Sequence, residues 1–341
     1  MKQLKMNILP KIFWILVNII IVFTTTPNAK AVTIKLGTLA PEGSGWHRQL
    51  KDMAVKWAKA SNNQVQLKIF PSGVAGNEGD MVRKMRIGQL QAAAISTIGV
   101  GEIDSAPKVL SIPGLIASDA EYEYVFNHLV QKWEQRLVEK GFQALMWGDT
   151  GSARFFLRKS ITSPNQLQDM KIFVWAGDPK AVEVFKLAGF QPVVLSVTDL
   201  MTSLATGMID AYNATPVMAL ATRWYERTPF MTAAAWAHLP GTTLITTRAW
   251  NKIPKDLQPE LLRISRAVGV QVNEEVARMQ ADAIAGMKKN GLKIIEFDTA
   301  GMQAWQELAQ KTWPAIRGGA VSVADFDEAK RIRDEFRANK H

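Results

Sequence analysis

The stretch Asp169-Met170-Lys171-Ile172-Phe173-Val174-Trp175 decides the fold, because it opens a run in which strands and helices alternate. Lys171 to Trp175 is β-branched and aromatic and predicts a strand. Pro179 to Ala188, stopped by Gly189, predicts a helix, and Gln191 to Leu195 predicts the next strand. A helix capped at Ser196 and ending before Gly207, then a strand from Met208 to Tyr212, continue the pattern. Such alternation implies a parallel sheet covered by helices. Within the opening strand, side chains alternate between faces, so Phe173 shares a face with Trp175 while Ile172 and Val174 take the other. With the branched pair in the core, Phe173 and Trp175 are expected to face a cleft.

Upstream, the same grammar is present. Val32 to Leu36 alternates like a strand, and the loop Pro41-Glu42-Gly43-Ser44-Gly45 leads into a helix. There Trp46, Leu50, Met53, Ala54 and Trp57 share one face, and Ser61-Asn62-Asn63 ends it. Strand Val65 to Phe70, a helix from Glu78 to Ile87 stopped by Gly88, and strand Ala92 to Ser96 complete a βαβαβ unit. A longer helix runs from its N-cap Ser118 to Lys140, with Gly141 as its stop. Strands Phe142 to Trp147 and Arg154 to Leu157 follow, joined by a connector at 148–153 that contains Gly148-Asp149-Thr150-Gly151. Downstream come a strand Thr242 to Thr247, a helical pattern from Lys255 to Asn290 interrupted near Gly269, and a strand Leu292 to Phe297. Two last helices cover about Thr299 to Trp313 and Val323 to Ala338.

Two α/β cycles with short connectors predict a bilobed α/β protein that holds a small molecule between its lobes, at the carboxyl ends of the strands. Residues 32–150 with about 240–280 are expected to form lobe I, and residues 151–239 with about 281–316 lobe II. Residues 317–341 then supply a C-terminal helix packing on the lobes. Lys2, Lys5 and Lys11, the apolar run Ile12 to Phe23 and the small-x-small site Ala29-Lys30-Ala31 read as a cleavable signal peptide over residues 1–31. The mature chain is therefore expected in the periplasm. Its loss removes four lysines and no acid, so the formal charge falls from +10 to +6. No Lys/Arg block with interleaved aromatics is present, which argues against a nucleic acid partner. With no cysteine, disulfides and thiol chemistry are absent, and stability rests on core burial.

Catalytic signatures are lacking. The chain has no Gly-x-Ser-x-Gly elbow, no phosphate loop of the Walker type, no Gly-x-Gly-x-x-Gly and no His-Glu-x-x-His. His47, His128, His238 and His341 are too scattered for a metal motif, so neither metal nor cofactor is expected. An exported hydrolase would have to use Glu78 with Arg154. Helix-borne acids such as Glu121 and Glu123 are expected in solvent.

Several phrases in order carry a family resemblance: Pro71-Ser72-Gly73-Val74-Ala75-Gly76-Asn77-Glu78, Met81 to Leu90, Leu204-Ala205-Thr206-Gly207-Met208-Ile209-Asp210 and Trp224-Tyr225-Glu226. From Thr33 to about Leu257 the chain resembles the DctP-type solute-binding subunits of tripartite ATP-independent periplasmic (TRAP) transporters. The resemblance implies a type II periplasmic-binding-protein fold with a long helix across both lobes. It also implies a monomeric, non-enzymatic receptor that hands a small-molecule ligand to a small and a large membrane permease subunit. In that family an arginine after Lys-Ile grips the ligand's carboxylate; here Phe173 stands in its place. Asn213 is the nearest match to a supporting asparagine, and Arg154 matches a second arginine. Strand ends and their loops add Trp46, Asn77, Glu78, Ser96, Trp147, Trp175, Tyr212 and Trp236 as expected ligand contacts. A buried carboxylate without its arginine is left uncompensated at a cost of about 3–5 kcal/mol. The expected ligand is therefore larger, less acidic and more apolar or aromatic than a C4-dicarboxylate. The competing expectations are a receptor for another importer or a sensor, and an envelope lipid carrier.

Overall fold

A computed structural model describes residues 31–176 and 178–339; the signal peptide expected over 1–31 lies, apart from Ala31, outside them. The chain runs β1 (Val32–Thr38), α1 (Gly45–Ala60), β2 (Val65–Phe70), α2 (Glu78–Arg86), β3 (Ala92–Ser96), α3 (Thr97–Val100), α4 (Asp119–Glu139), β4 (Phe142–Leu157), β5 (Lys171–Trp175) and α5 (Pro179–Leu187). It continues β6 (Gln191–Leu195), α6 (Leu200–Thr206), β7 (Ala211–Ala214), α7 (Pro216–Ala221), β8 (Phe230–Thr232), β9 (Ala237–Thr246) and α8 (Thr247–Trp250). The last elements are α9 (Gln258–Lys289), β10 (Lys293–Ile295), α10 (Thr299–Gln310), α11 (Trp313–Ile316) and α12 (Val323–Ala338).

Two sheets of the same plan are built from these strands. The first has the order β2-β1-β3-β9-β4, and the second β10-β8-β4-β7-β5-β6. In each, the strands of one βαβαβ unit run parallel and a returning strand joins antiparallel. Strand β4 belongs to both. It pairs with β9 from Phe142↔Thr246 to Ala153↔Ala237, then with β7 from Arg154↔Ala214 to Leu157↔Ala211. The expected pair of strands with a connector at 148–153 is thus one strand of 16 residues.

The misleading Gly148-Asp149-Thr150-Gly151 makes a bulge instead of a turn. The ladder slips between Asp149 and Ser152, and Gly151 takes φ +96°, a conformation glycine adopts without a Cβ penalty. A bulge leaves backbone groups unpaired, and α9 supplies their partners. Asn273 Oδ1 accepts from Asp149 N at 2.7 Å, and Gln280 Nε2 donates to Thr150 O at 2.9 Å.

Helix α9 is continuous through Gly269, where an interruption was expected. Its 32 residues span about 48 Å at ~1.5 Å per residue, enough to reach both lobes. Leu261, Val268 and Val272 lie in the first lobe's core, where Trp57 Nε1 donates to Leu261 O and Ser265 Oγ; Met287 lies in a core of the second lobe. Gly269 permits a close approach: a Cβ there would sit 2.6 Å from Trp147 O and 3.1 Å from Met146 Cβ. Gly269→Val should therefore destabilise the protein by about 1–3 kcal/mol through overpacking. Thermal denaturation checks this, and an unchanged Tm would show that α9 does not rest on β4 at this point.

Smaller departures have local causes. Gly207, in the left-handed conformation, ends α6, and Asp210 N donates to Lys171 O at 2.8 Å while the Asp210 carboxylate accepts from Lys171 N at 3.1 Å; the β7 ladder begins at Ala211. The helix expected after Ser196 opens as a 3₁₀ turn, Val197–Asp199. Glu121 is buried, against expectation, because Arg337 of α12 grips it at 2.7 and 3.0 Å. Arg136 of α4 likewise forks onto Asp104, 2.7 Å to each oxygen, and reaches Asp325 of α12 at 2.8 Å.

Candidate functional site

Three cavities surround the crossing strands β4 and β9. The first, of about 340 Å³, lies between the lobes. Lobe I contributes the loop after β1 with Trp46, and the end of β3 with Ser96; the facing side consists of Ala214, Thr215 and α7 residues such as Met218. Val276 and Met279 of α9 close one side. Trp46 opens α1 behind the Ser44 N-cap, and its ring lies on Gly148, where a Cβ would come within 2.8 Å of it.

Glu78 is the single ionisable residue among those lining this cavity. Its carboxylate accepts from Ser96 N at 2.7 Å, Ser96 Oγ at 2.7 Å and Gly99 N at 2.9 Å. Burial raises its pKa, and these donors together with Lys108 only partly oppose that rise. Asn77, one residue earlier, is spent on structure. Its side chain accepts from Asp80 N at 2.8 Å while Asp80 returns a bond to Asn77 N, so the glycine-rich loop ends in a filled capping box.

The second cavity, about 200 Å³, also lies between the lobes and is lined by Thr97, Lys108 and Ser111 on one side and Asp178, Asn213 and Trp236 on the other. The third, about 280 Å³, lies beside the β4 bulge and holds Arg154 with Asp119, Tyr122, Asp149, Asn273 and Gln280. Burial lowers the pKa of Arg154, against the pull of Asp119. Burial likewise lowers that of His238, whose Nδ1 lies 3.3 Å from Ser152 Oγ.

The expected contact residues are therefore divided. Trp46, Glu78 and Ser96 line the first cavity, Asn213 and Trp236 the second, Arg154 the third. Asn77, Trp147, Phe173, Trp175 and Tyr212 line none of the three. Trp147 packs against Phe126 and Trp133, and its Nε1 donates to Glu134. Tyr212 is fully buried and stacks on Phe156 at 5.1 Å.

Phe173 does not face the cleft. It is 7 % exposed and packs in an apolar cluster with Phe156, Leu200, Leu204, Tyr212 and Met231, and Trp175 leans on the same cluster. The pleat gives the reason. Both faces of β5 are covered, Ile172 and Val174 by one cluster and Phe173 by the other, so assigning the branched pair to core did not free the opposite face. Register also separates Phe173 from Asn213. Arg154 pairs with Ala214, Phe155 with Asn213 and Phe156 with Tyr212, so Asn213 points away from the face that carries Tyr212 and Phe173.

Sequence reasoning missed Met218, Met279 and Leu239. One signal was available for the first of these. Thr215-Pro216 directly after β7 is an N-cap followed by proline, the start of a helix at the carboxyl end of a strand, where open α/β sheets place their ligands.

Known proteins share this architecture. A TRAP periplasmic solute-binding protein from Ralstonia eutropha H16, solved with bound (S)-2-acetolactate, is similar at a TM-score of 0.81 and 19% identity, covering 89% of this chain and 99% of that one. One from Desulfovibrio salexigens with bound orotic acid is similar at a TM-score of 0.80 and 21% identity, covering 90% and 99%. The 2,3-diketo-L-gulonate-binding periplasmic protein YiaO of Escherichia coli K12 is 21% identical over 273 residues, which is 80% of this chain and 83% of that protein. These are solute-binding proteins and not enzymes. Residues 36–317 match the DctP model, bacterial extracellular solute-binding protein family 7. A match over that much of the sequence, on two sheets of the same plan with cavities between them, shows that the chain belongs to the DctP family of TRAP transporter solute-binding subunits.

Proposed function

We propose that this receptor captures one small solute with a largely apolar body in the 340 Å³ cavity between its lobes and delivers it, in the periplasm, to the membrane subunits of a TRAP transporter. The observation that carries the reading is the absence of any lysine, arginine or histidine among the residues lining that cavity. Its one charged group, Glu78, is already committed to three donors. A dicarboxylate placed there meets no cation and one carboxylate, whereas an apolar group of side-chain size gains about 1.5–3 kcal/mol on burial. Trp46, Leu239, Met218 and Met279 supply the surface, and the methionines adapt to irregular shapes.

Isothermal titration against succinate, malate and sugar acids on one side, and aryl and branched-alkyl solutes on the other, tests the proposal. Solutes of the second group should bind, while succinate should bind no tighter than about 1 mM, roughly 4 kcal/mol. Micromolar succinate binding would refute it.

A further inference from the structure

The second cavity adjoins the first: Leu239 lines both, and the consecutive residues Ser96 and Thr97 line one each. Its character is different. Lys108 and Lys180 line it with a single acid, Asp178, and the hydroxyls of Thr97 and Ser111 and the amide of Asn213 stand among them. Lys180 Nζ is directed to Gly319 O at 3.4 Å, and Asp178 Oδ1 accepts from Ala181 N at 3.3 Å as the cap of α5. Lys108 forms no ion pair within 4.0 Å among the described residues, although Asp178, Glu102 and Glu78 all act on it from farther away. Burial lowers its pKa, and the like charge of Lys180 adds to the fall against the pull of these acids.

The lysine's position is also built. At Gly101 a Cβ would lie 1.9 Å from Lys108 Cε and 2.5 Å from Nζ, so the missing side chain there is what seats the end of the lysine. We propose that Lys108 anchors a single anionic head group, a carboxylate, on the solute whose apolar body fills the first cavity. The inference rests on the apolar reading of that first cavity and sharpens it: the substrate class becomes amphipathic monocarboxylates. The Thr97 and Ser111 hydroxyls bond each other at 2.8 Å, which leaves one O–H of the pair, with the Asn213 amide, as the neutral donors at hand for the second oxygen. Because Lys108 and Thr97 come from one lobe and Asn213 from the other, such a head group bridges the cleft.

The test is a matched series, phenylacetate and octanoate against phenylacetamide and octanamide, measured by isothermal titration. A charge-assisted anchor predicts that each acid binds about tenfold or more tighter than its amide. Lys108→Gln should bring that ratio toward one, and Gly101→Ala, which keeps the lysine but displaces its end, should reduce it as well. Acids and amides binding equally well would overturn the anchor and leave the apolar cavity standing. A preference for acid that survives in both variants would also overturn it. If neither acids nor amides bind, the apolar reading falls and the anchor with it.

Discussion

Phe173→Ala should lower the unfolding free energy by about 3–5 kcal/mol, the cost of a large cavity where a buried aromatic ring stood. The ring is 7 % exposed among Phe156, Leu200, Leu204, Tyr212 and Met231, and this cluster also receives Met287 from α9. Chemical denaturation gives the loss directly. Phe173→Leu separates packing from recognition: it keeps most of the apolar volume, so solute affinity should stay at the parent value while stability falls slightly. Phe173→Arg would place a guanidinium in a cluster whose buried members include no acid, and should destabilise more than alanine does. Should the arginine variant keep its Tm and acquire micromolar succinate binding, the ring belongs to the ligand site and its assignment to core is wrong.

Arg136→Met should cost a similar amount, about 3–5 kcal/mol, because it strips the cation from buried Asp325 and leaves buried Asp104 with Lys140 alone. Asp104 is 1 % exposed and Asp325 7 %, and both lose a bond of 2.7–2.8 Å. Burial alone would raise the Asp104 carboxyl, yet the Ala106 N–H, Lys140 and Arg136 more than reverse this and leave it below the ordinary range. Glu121 follows the same pattern, with burial outweighed by Arg337 and the Ala117 N–H. A carboxyl depressed in the folded state binds fewer protons there than in the unfolded chain. The stability it contributes is thus present above about pH 4 and is lost as pH falls through the folded value. Tm measured from pH 7 to pH 3 should drop at the acid end in the parent, and by less in Arg136→Met, whose Asp104 is no longer held down as far. Identical acid slopes in the two proteins would refute the role given to this cluster.

The fold was readable where local signals agree. Ser118 and Gly141 bracket α4 as expected, Gly88 follows α2, and β2, β3, β5 and β6 fall at the residues their composition indicates. Reading failed where one residue type serves two ends. Gly148 and Gly151 resemble a connector but lie within β4, and Gly269 resembles a break but is a point of contact. At the β4 bulge the deciding partner is α9, at Gly269 it is β4, and in both places the partner is more than 100 residues away, so no local window contains it. The site was legible to a similar depth. Trp46, Glu78 and Ser96 come together because strand ends converge, which alternation of elements predicts. The face of β5 was misjudged because a strand covered on both sides has no polar side to reveal its orientation, and the seating of Lys108 depends on a glycine seven residues earlier whose meaning is purely spatial.

The continuity of β4 has a mechanical consequence. Because the strand passes from one sheet into the other without leaving its ladder, any twist of one sheet against the other has to pass through β4, whose ladder is interrupted at the slipped register between Asp149 and Ser152. Helix α9, pinned to that segment by Asn273 and Gln280, resists the twist as a leaf spring would. Any closing of the lobes on a solute would thus load the same few peptide groups of β4 and the helix that holds them.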